Sequence, residues 1–161
     1  MKMQRFIWVV LLAVVLVAVG TSAWAQQNKV MPISAEGIKQ IIEVGDCPLL
    51  LVATAAWCAP CRAELPILNK FYLKYKDQGL KIVAVSLDVA PDNMQILVDK
   101  LKLKFPVYWG GEKMAYEYSI FGVPTILVVK NGKIEERIIG KRSESFLEEK
   151  IMQWIEQCTI S

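Results

Sequence analysis

The sequence predicts an α/β fold, a central mixed β-sheet with helices on both faces, preceded by an N-terminal export signal or anchor. Three observations carry this expectation. After residue 34, short apolar runs alternate with segments of helical spacing. The run at 49–53 is continuously apolar, as in a strand covered on both sides, and Thr125 to Val129 reads as another buried strand. Asn131-Gly132, a strong two-residue hairpin signal, then turns the chain back and adds an antiparallel strand.

The chain opens with Lys2 and Arg5, followed by an unbroken apolar run from Phe6 to Val19. That run is about as long as a signal-peptide core, and Ala23-Trp24-Ala25 puts small residues at the positions a signal peptidase reads. Residues 1–25 therefore read as a signal peptide cut after Ala25. Phe6 to Ala25 is also about long enough to cross a bilayer, so an uncleaved membrane anchor is the rival reading. Either way the remainder is expected to be exported to a periplasmic or other extracytoplasmic space, where disulfides persist. No Cys lies near the cleavage site, which excludes a lipid-modified Cys anchor. Residues 26–33 read as a linker and 34–161 as the folded domain.

Ser34 is placed to cap a helix with Ile38, Ile41 and Ile42 on one face, ended by Gly45. Leu49 to Ala53 is the first buried strand. A helix follows from about Ala59 to Lys76, with a kink expected at Pro66. Leu80 to Leu87 is a second strand, and Asp92 is expected to cap a helix carrying Met94, Leu97, Val98 and Leu101. Phe105 to Tyr108 reads as a short extended piece and Met114 to Tyr118 as a short helix. Thr125 to Val129 and Lys133 to Ile139 flank the hairpin turn. Ser143 or Ser145 caps the last helix, and Ser145 with Glu148 fits a capping box. Leu147, Ile151, Trp154, Ile155 and Cys158 form its apolar stripe.

Composition excludes several classes of chemistry. The 161 residues contain no His, which removes Ser-His-Asp triads, Cys-His pairs, His-ligated zinc and C-x-x-C-H haem attachment. Net charge is +3, and two of the basic residues, Lys2 and Arg5, stand before the apolar run. The rest is nearly neutral, which argues against a nucleic-acid surface.

Four Cys remain, and two form Trp57-Cys58-Ala59-Pro60-Cys61 where a buried strand gives way to a helix. At such a turn the first Cys faces free N–H groups and the positive end of the helix dipole. Both favour the thiolate, which is the nucleophile. Pro60 starts the helix without wasting a donor. Cys58 is thus expected to be an exposed attacking thiol and Cys61 a sheltered resolving thiol, alternating between dithiol and redox-active disulfide. The rival readings are half of a zinc site and a purely structural disulfide. Zinc is disfavoured because neither Cys47 nor Cys158 has a C-x-x-C partner and no His is available.

Trp57-Cys58-Ala59-Pro60-Cys61, Gly122-Val123-Pro124-Thr125 and the order of elements resemble the thioredoxin superfamily. Cys61-Arg62-Ala63-Glu64-Leu65-Pro66, Val83-Ala84-Val85-Ser86-Leu87-Asp88 and Phe105-Pro106-Val107 resemble its exported TlpA/ResA-like thiol–disulfide oxidoreductases. The resemblance implies a thioredoxin-like fold over about residues 34–157 and a cis Val123–Pro124 bond. It also implies substrate contacts at Trp57, Pro60, Val123 and Pro124. It departs at Val52, where thioredoxins carry a buried Asp that takes a proton from the resolving thiol. Glu64, one helical turn after Cys61, is the nearest acidic candidate, and the resemblance implies that a Glu at this position influences the pKa of the cysteine pair. The alternative for Glu64 is a solvated charge paired with Arg62 or Lys70.

Cys47 precedes the strand that delivers Cys58, and Cys158 lies near the end of the last helix, so both are expected at the end of the sheet opposite the active site. A Cys47–Cys158 bridge is the sharper reading and two separate buried thiols the plainer one. The expected activity is thiol–disulfide exchange on protein disulfides, with no metal and no small-molecule cofactor. In an oxidising compartment it implies a membrane electron donor for re-reduction. The family suggests cytochrome c maturation. The rivals are an exported oxidant and a non-catalytic binding module.

Overall fold

The computed structural model describes residues 28–45 and 48–159. The expected leader at 1–25 and Cys47, with its expected bridge, lie outside the described residues. Among the described residues, six strands form one sheet: β1 (Met31–Pro32), β2 (Leu49–Thr54), β3 (Lys81–Ser86), β4 (Val107–Trp109), β5 (Thr125–Lys130) and β6 (Lys133–Ile139). Their spatial order is β1-β4-β3-β2-β5-β6. β1 to β4 are mutually parallel, whereas β5 and β6 run antiparallel to β2 and to each other. The helices are α1 (Ala35–Glu43), α2 (Ala59–Tyr75), α3 (Pro91–Leu101), α4 (Gly111–Glu117) and α5 (Glu144–Thr159).

The continuous apolar runs are explained by the period of a strand, which sends alternate residues to opposite faces. Leu50 and Val52 enter one core with Leu65, Leu68 and Phe71 of α2, Met94 of α3, and Leu147, Ile151 and Trp154 of α5. Leu49, Leu51 and Ala53 enter the other, with Ile38 and Ile42 of α1 and Met114 of α4. All six residues of β2 are buried, so the strand carrying the chain into the Cys pair is fixed from both sides.

Local signals explain most boundaries. Ser34 accepts the Gly37 N–H and caps α1 as expected. Asn131 (φ 48°) and Gly132 (φ 75°) close the β5–β6 hairpin in the left-handed region. α2 continues through Pro66, which sits on its exposed side.

Three expectations need correction. Residues 28–33 are not a free linker. Met31 and Pro32 pair with Tyr108 and Trp109, the Ile33 N–H donates to the Trp109 carbonyl, and the Val30 N–H donates to Gln95. Asp92 does not cap α3. Ala90 is the cap and makes no side-chain bond, because Pro91 starts the helix and leaves Asp92 in its first turn. The Ser145–Glu148 capping box does not form. Ser143 Oγ accepts the Phe146 N–H, while Glu148 binds Lys74 and Tyr75 of α2 instead.

Candidate redox site

β2 ends at Thr54, and the turn Ala55–Trp57 delivers Cys58 to the N-cap of α2. Cys58 Sγ accepts the Cys61 N–H at 3.2 Å. A helix N-terminus leaves such donors without intrahelical partners, and a sulfur carrying negative charge is favoured there. Cys58 and Cys61 are joined by a disulfide with their Cα atoms 5.2 Å apart. Pro60 stands in the first turn, where its missing N–H costs nothing.

Cys58 is not the openly exposed residue expected from its place before a helix. It is 4% exposed and Cys61 1%. Both pack with Ala55 against Val123. The cover comes from the loop before β5, where Val123–Pro124 is cis, as expected. The Val123 carbonyl oxygen lies 3.6 Å from Cys58 Sγ. That carbonyl and the sulfur therefore share one small patch, the geometry in which an incoming chain could add beside the loop as a strand.

Trp57 projects into solvent, 67% exposed. It borders a groove of about 560 Å³ that runs from Val123 past Phe121 and Ile120 to Tyr116 and Val89. Phe121 and Tyr116 are 90% and 86% exposed and Val89 is 83% exposed. Large apolar side chains gathered this openly around one concavity mark a surface meant to be covered. Tyr108 and Trp109 serve the scaffold, since the Trp109 indole donates to the Asp88 carbonyl at 2.7 Å.

Glu64 is not a solvated charge. It is 1% exposed, while Arg62 donates to the Ala56 carbonyl and Lys70 to Glu144. Glu64 Oε1 accepts the Arg142 N–H at 3.0 Å, and Oε2 is buried without a hydrogen-bond partner. Burial holds this carboxyl above the usual carboxylate range, opposed by the Arg142 hydrogen bond and the Lys141 and Arg142 charges. A buried acid whose pKa is raised by that burial sits one turn along the helix from Cys61.

Asp88 was not singled out from the sequence as a functional residue. It is buried beside the turn that delivers Cys58, and its carboxylate accepts the Ala56 N–H. The signal was present in Val83-Ala84-Val85-Ser86-Leu87-Asp88, where a strand-like run ends on an acid. Only the parallel pairing of β2 with β3 puts that acid against residue 56.

Comparison with known proteins gives a consistent picture. Residues 32–137 match the AhpC/TSA family. Thiol-disulfide oxidoreductase ResA of Bacillus anthracis is 38% identical over 94 residues, 57% of this chain and 54% of that protein. Sporulation thiol-disulfide oxidoreductase A of Bacillus subtilis (strain 168) is 29% identical over 164 residues, 91% of this chain and 97% of the relative. The crystal structure of StoA from Bacillus subtilis superposes with a TM-score of 0.58 at 27% identity, over 66% of this chain and 84% of that one. The chain spans about half the length of the ResA relatives it matches.

Proposed function

The chain belongs to the AhpC/TSA family, and from that premise we propose that it is an exported thiol–disulfide oxidoreductase that reduces disulfides of extracytoplasmic proteins. The observation that carries the reading is the Cys58–Cys61 disulfide at the N-terminus of α2, with the Val123 carbonyl 3.6 Å from Cys58 Sγ. In the reduced enzyme the Cys58 thiolate attacks one sulfur of a substrate disulfide. A mixed disulfide forms, and the other substrate sulfur leaves as a thiolate that takes a proton. Cys61, deprotonated, then attacks Cys58 Sγ, reforms the internal disulfide and expels the second substrate sulfur. Two electrons pass from the Cys pair to the substrate, and an outside dithiol donor at the membrane restores them.

The remaining residues take supporting roles. Glu64 exchanges the proton of the Cys61 thiol, a task Val52 cannot perform. Trp57, Pro60, Val123 and Pro124 bound the substrate chain, with the Tyr116–Phe121 groove receiving apolar side chains that flank its disulfide. The TlpA/ResA-like resemblance points to Cys pairs of apocytochrome c, reduced before haem attachment, as the substrate class. The leader at 1–25 carries the domain out of the cytoplasm and, if retained, tethers it.

The test is insulin reduction. The parent is expected to turn over with dithiothreitol as donor, and Cys58→Ser to fall to the uncatalysed rate. Equal activity in the two would end the enzymatic reading and leave a binding module. A Cys58–Cys61 potential near about −120 mV, the range of strong oxidants, would replace reduction with disulfide donation.

A further inference from the structure

The Asp88 carboxylate has no part in the exchange chemistry, yet it is 2% exposed and aimed at the turn before Cys58. The Ala56 N–H stands 3.1 Å from its Oδ1 and 2.9 Å from its Oδ2. Ser86 Oγ donates to Oδ2 at 2.6 Å and in return accepts the Asp88 N–H at 3.1 Å, so the carboxylate cannot rotate freely. The backbone of Asp88 is itself held, because its carbonyl accepts the Trp109 indole N–H. On the other side of the same residue, the Ala56 carbonyl accepts from the Arg62 guanidinium at 2.8 Å.

Ala56 lies past the last ladder pair of β2 and β3, Thr54 with Ser86. Its N–H therefore has no partner in the sheet, and this half-buried donor finds one in the Asp88 carboxylate instead. Two residues later stands Cys58, whose N–H donates to the Ala55 carbonyl at 3.2 Å. The turn is short enough that moving Ala56 moves the sulfur.

We propose that Asp88 is a positioning residue of the redox pair: by holding the Ala56 amide, it fixes where Cys58 Sγ stands against the Cys61 N–H and the Val123 carbonyl. Asp88 touches neither sulfur and acts only through the turn. The inference rests on the reading of Cys58 as the attacking sulfur.

The experiment measures two quantities on the reduced full chain that need no protein substrate. One is the rate of Cys58 alkylation by iodoacetamide against pH. The other is the Cys58–Cys61 equilibrium with glutathione. The parent comes first: a Cys58 no more reactive at neutral pH than an ordinary free thiol overturns the attacking-sulfur reading before any variant is compared. With a reactive parent, Asp88→Ala is expected to raise the thiol pKa by about one unit, which slows alkylation by about tenfold at pH values below the parent pKa. At pH values above the thiol pKa, where the reduced pair carries the thiolate, the same tenfold loss of thiolate stability makes the pair about 30 mV more reducing. Asp88→Asn keeps an acceptor for the Ala56 N–H and is expected to stay within about twofold of the parent.

A purely structural Asp88 would lower the urea midpoint and leave both quantities at parent values, which overturns the proposal. Asp88→Asn as impaired as Asp88→Ala also overturns it, because charge and not the held amide would then be at work. Should Asp88→Ala fail to fold, Ser86→Ala frees the carboxylate more gently and is expected to slow alkylation two- to threefold, on the order of a lost hydrogen bond. A folded Ser86→Ala with parent reactivity overturns the proposal.

Discussion

The turn that carries Cys58 and the groove beside it are built on opposite plans. At the turn the sulfur is enclosed and tied to backbone: Cys58 is 4% exposed, its sulfur accepts a helix N–H, and the preceding residue but one is held from both sides by Asp88 and Arg62. In the groove, Trp57, Tyr116 and Phe121 stand between 67% and 90% exposed. The difference teaches a division of labour. Sulfur reactivity depends on small displacements and is placed on hydrogen-bonded backbone. On the proposed function, partner choice tolerates repacking and falls to the exposed aromatic side chains, whose burial would supply affinity without directional demands.

The sharpest way to break this contrast lies on the rigid side. Cys61→Ser should convert a transient adduct into a persistent one, with Cys58 joined to the substrate by a disulfide that mass spectrometry can isolate. Recovery of unmodified Cys58 after exposure to an oxidised exported proteome would sink the two-step scheme. On the open side, Tyr116→Ser with Phe121→Ser should lower kcat/KM for polypeptide disulfides by roughly tenfold or more, since burying each large apolar side chain contributes about 1.5–3 kcal/mol. Turnover of a small aromatic-free disulfide should stay at the parent rate. A parallel loss on both substrates would mean the groove shapes the sulfurs and the two regions are not separate.

Glu64 sharpens the comparison through pH. Burial raises its pKa above the ordinary 4.5, so the folded chain holds this proton more tightly than the unfolded chain. Its contribution to stability is fully present below the ordinary value and is lost as pH climbs through the raised one. Glu64→Gln cannot titrate. Its urea midpoint relative to the parent should move in the variant's favour as pH rises through that window, and a constant difference from pH 4 to 8 would refute the buried-acid account. The smallest effect belongs to the scaffold: Ser143→Ala removes the Oγ acceptor of the Phe146 N–H at the start of α5 and should cost about 1 kcal/mol by urea denaturation. Insulin turnover at 25 °C should not change.

Much of the fold was legible because its signals are local. The strands at 49–54 and 125–130 announce themselves through the apolar runs Leu49–Ala53 and Ile126–Val129, and Asn131-Gly132 places the hairpin to the residue. The Cys pair was legible for the same reason, as strand, turn and helix N-terminus are adjacent in sequence. What could not be read depends on partners far along the chain. Glu148 abandons the capping box because Lys74 and Tyr75 reach it across the helix pair. Residues 28–33 join the sheet because Gln95 and Trp109 offer them hydrogen bonds. Cys58 is buried because Val123 covers it. Asp88 is not legible because an acid at the end of a strand says nothing about which amide it will meet.

β1 runs parallel to β4, β3 and β2, and Asn28, just before it, donates to the carbonyls of Leu103 and Phe105 ahead of β4. The described chain thus begins at the pole where the parallel strands start, while the sulfurs sit at the pole where β2 finishes. A body moored by its front end would present its reactive crown outward, with the whole thickness of the sheet as a standoff. Under the proposed export and re-reduction, clients would meet it from the open side, and a donor at the membrane would have to reach past the whole domain to recharge it.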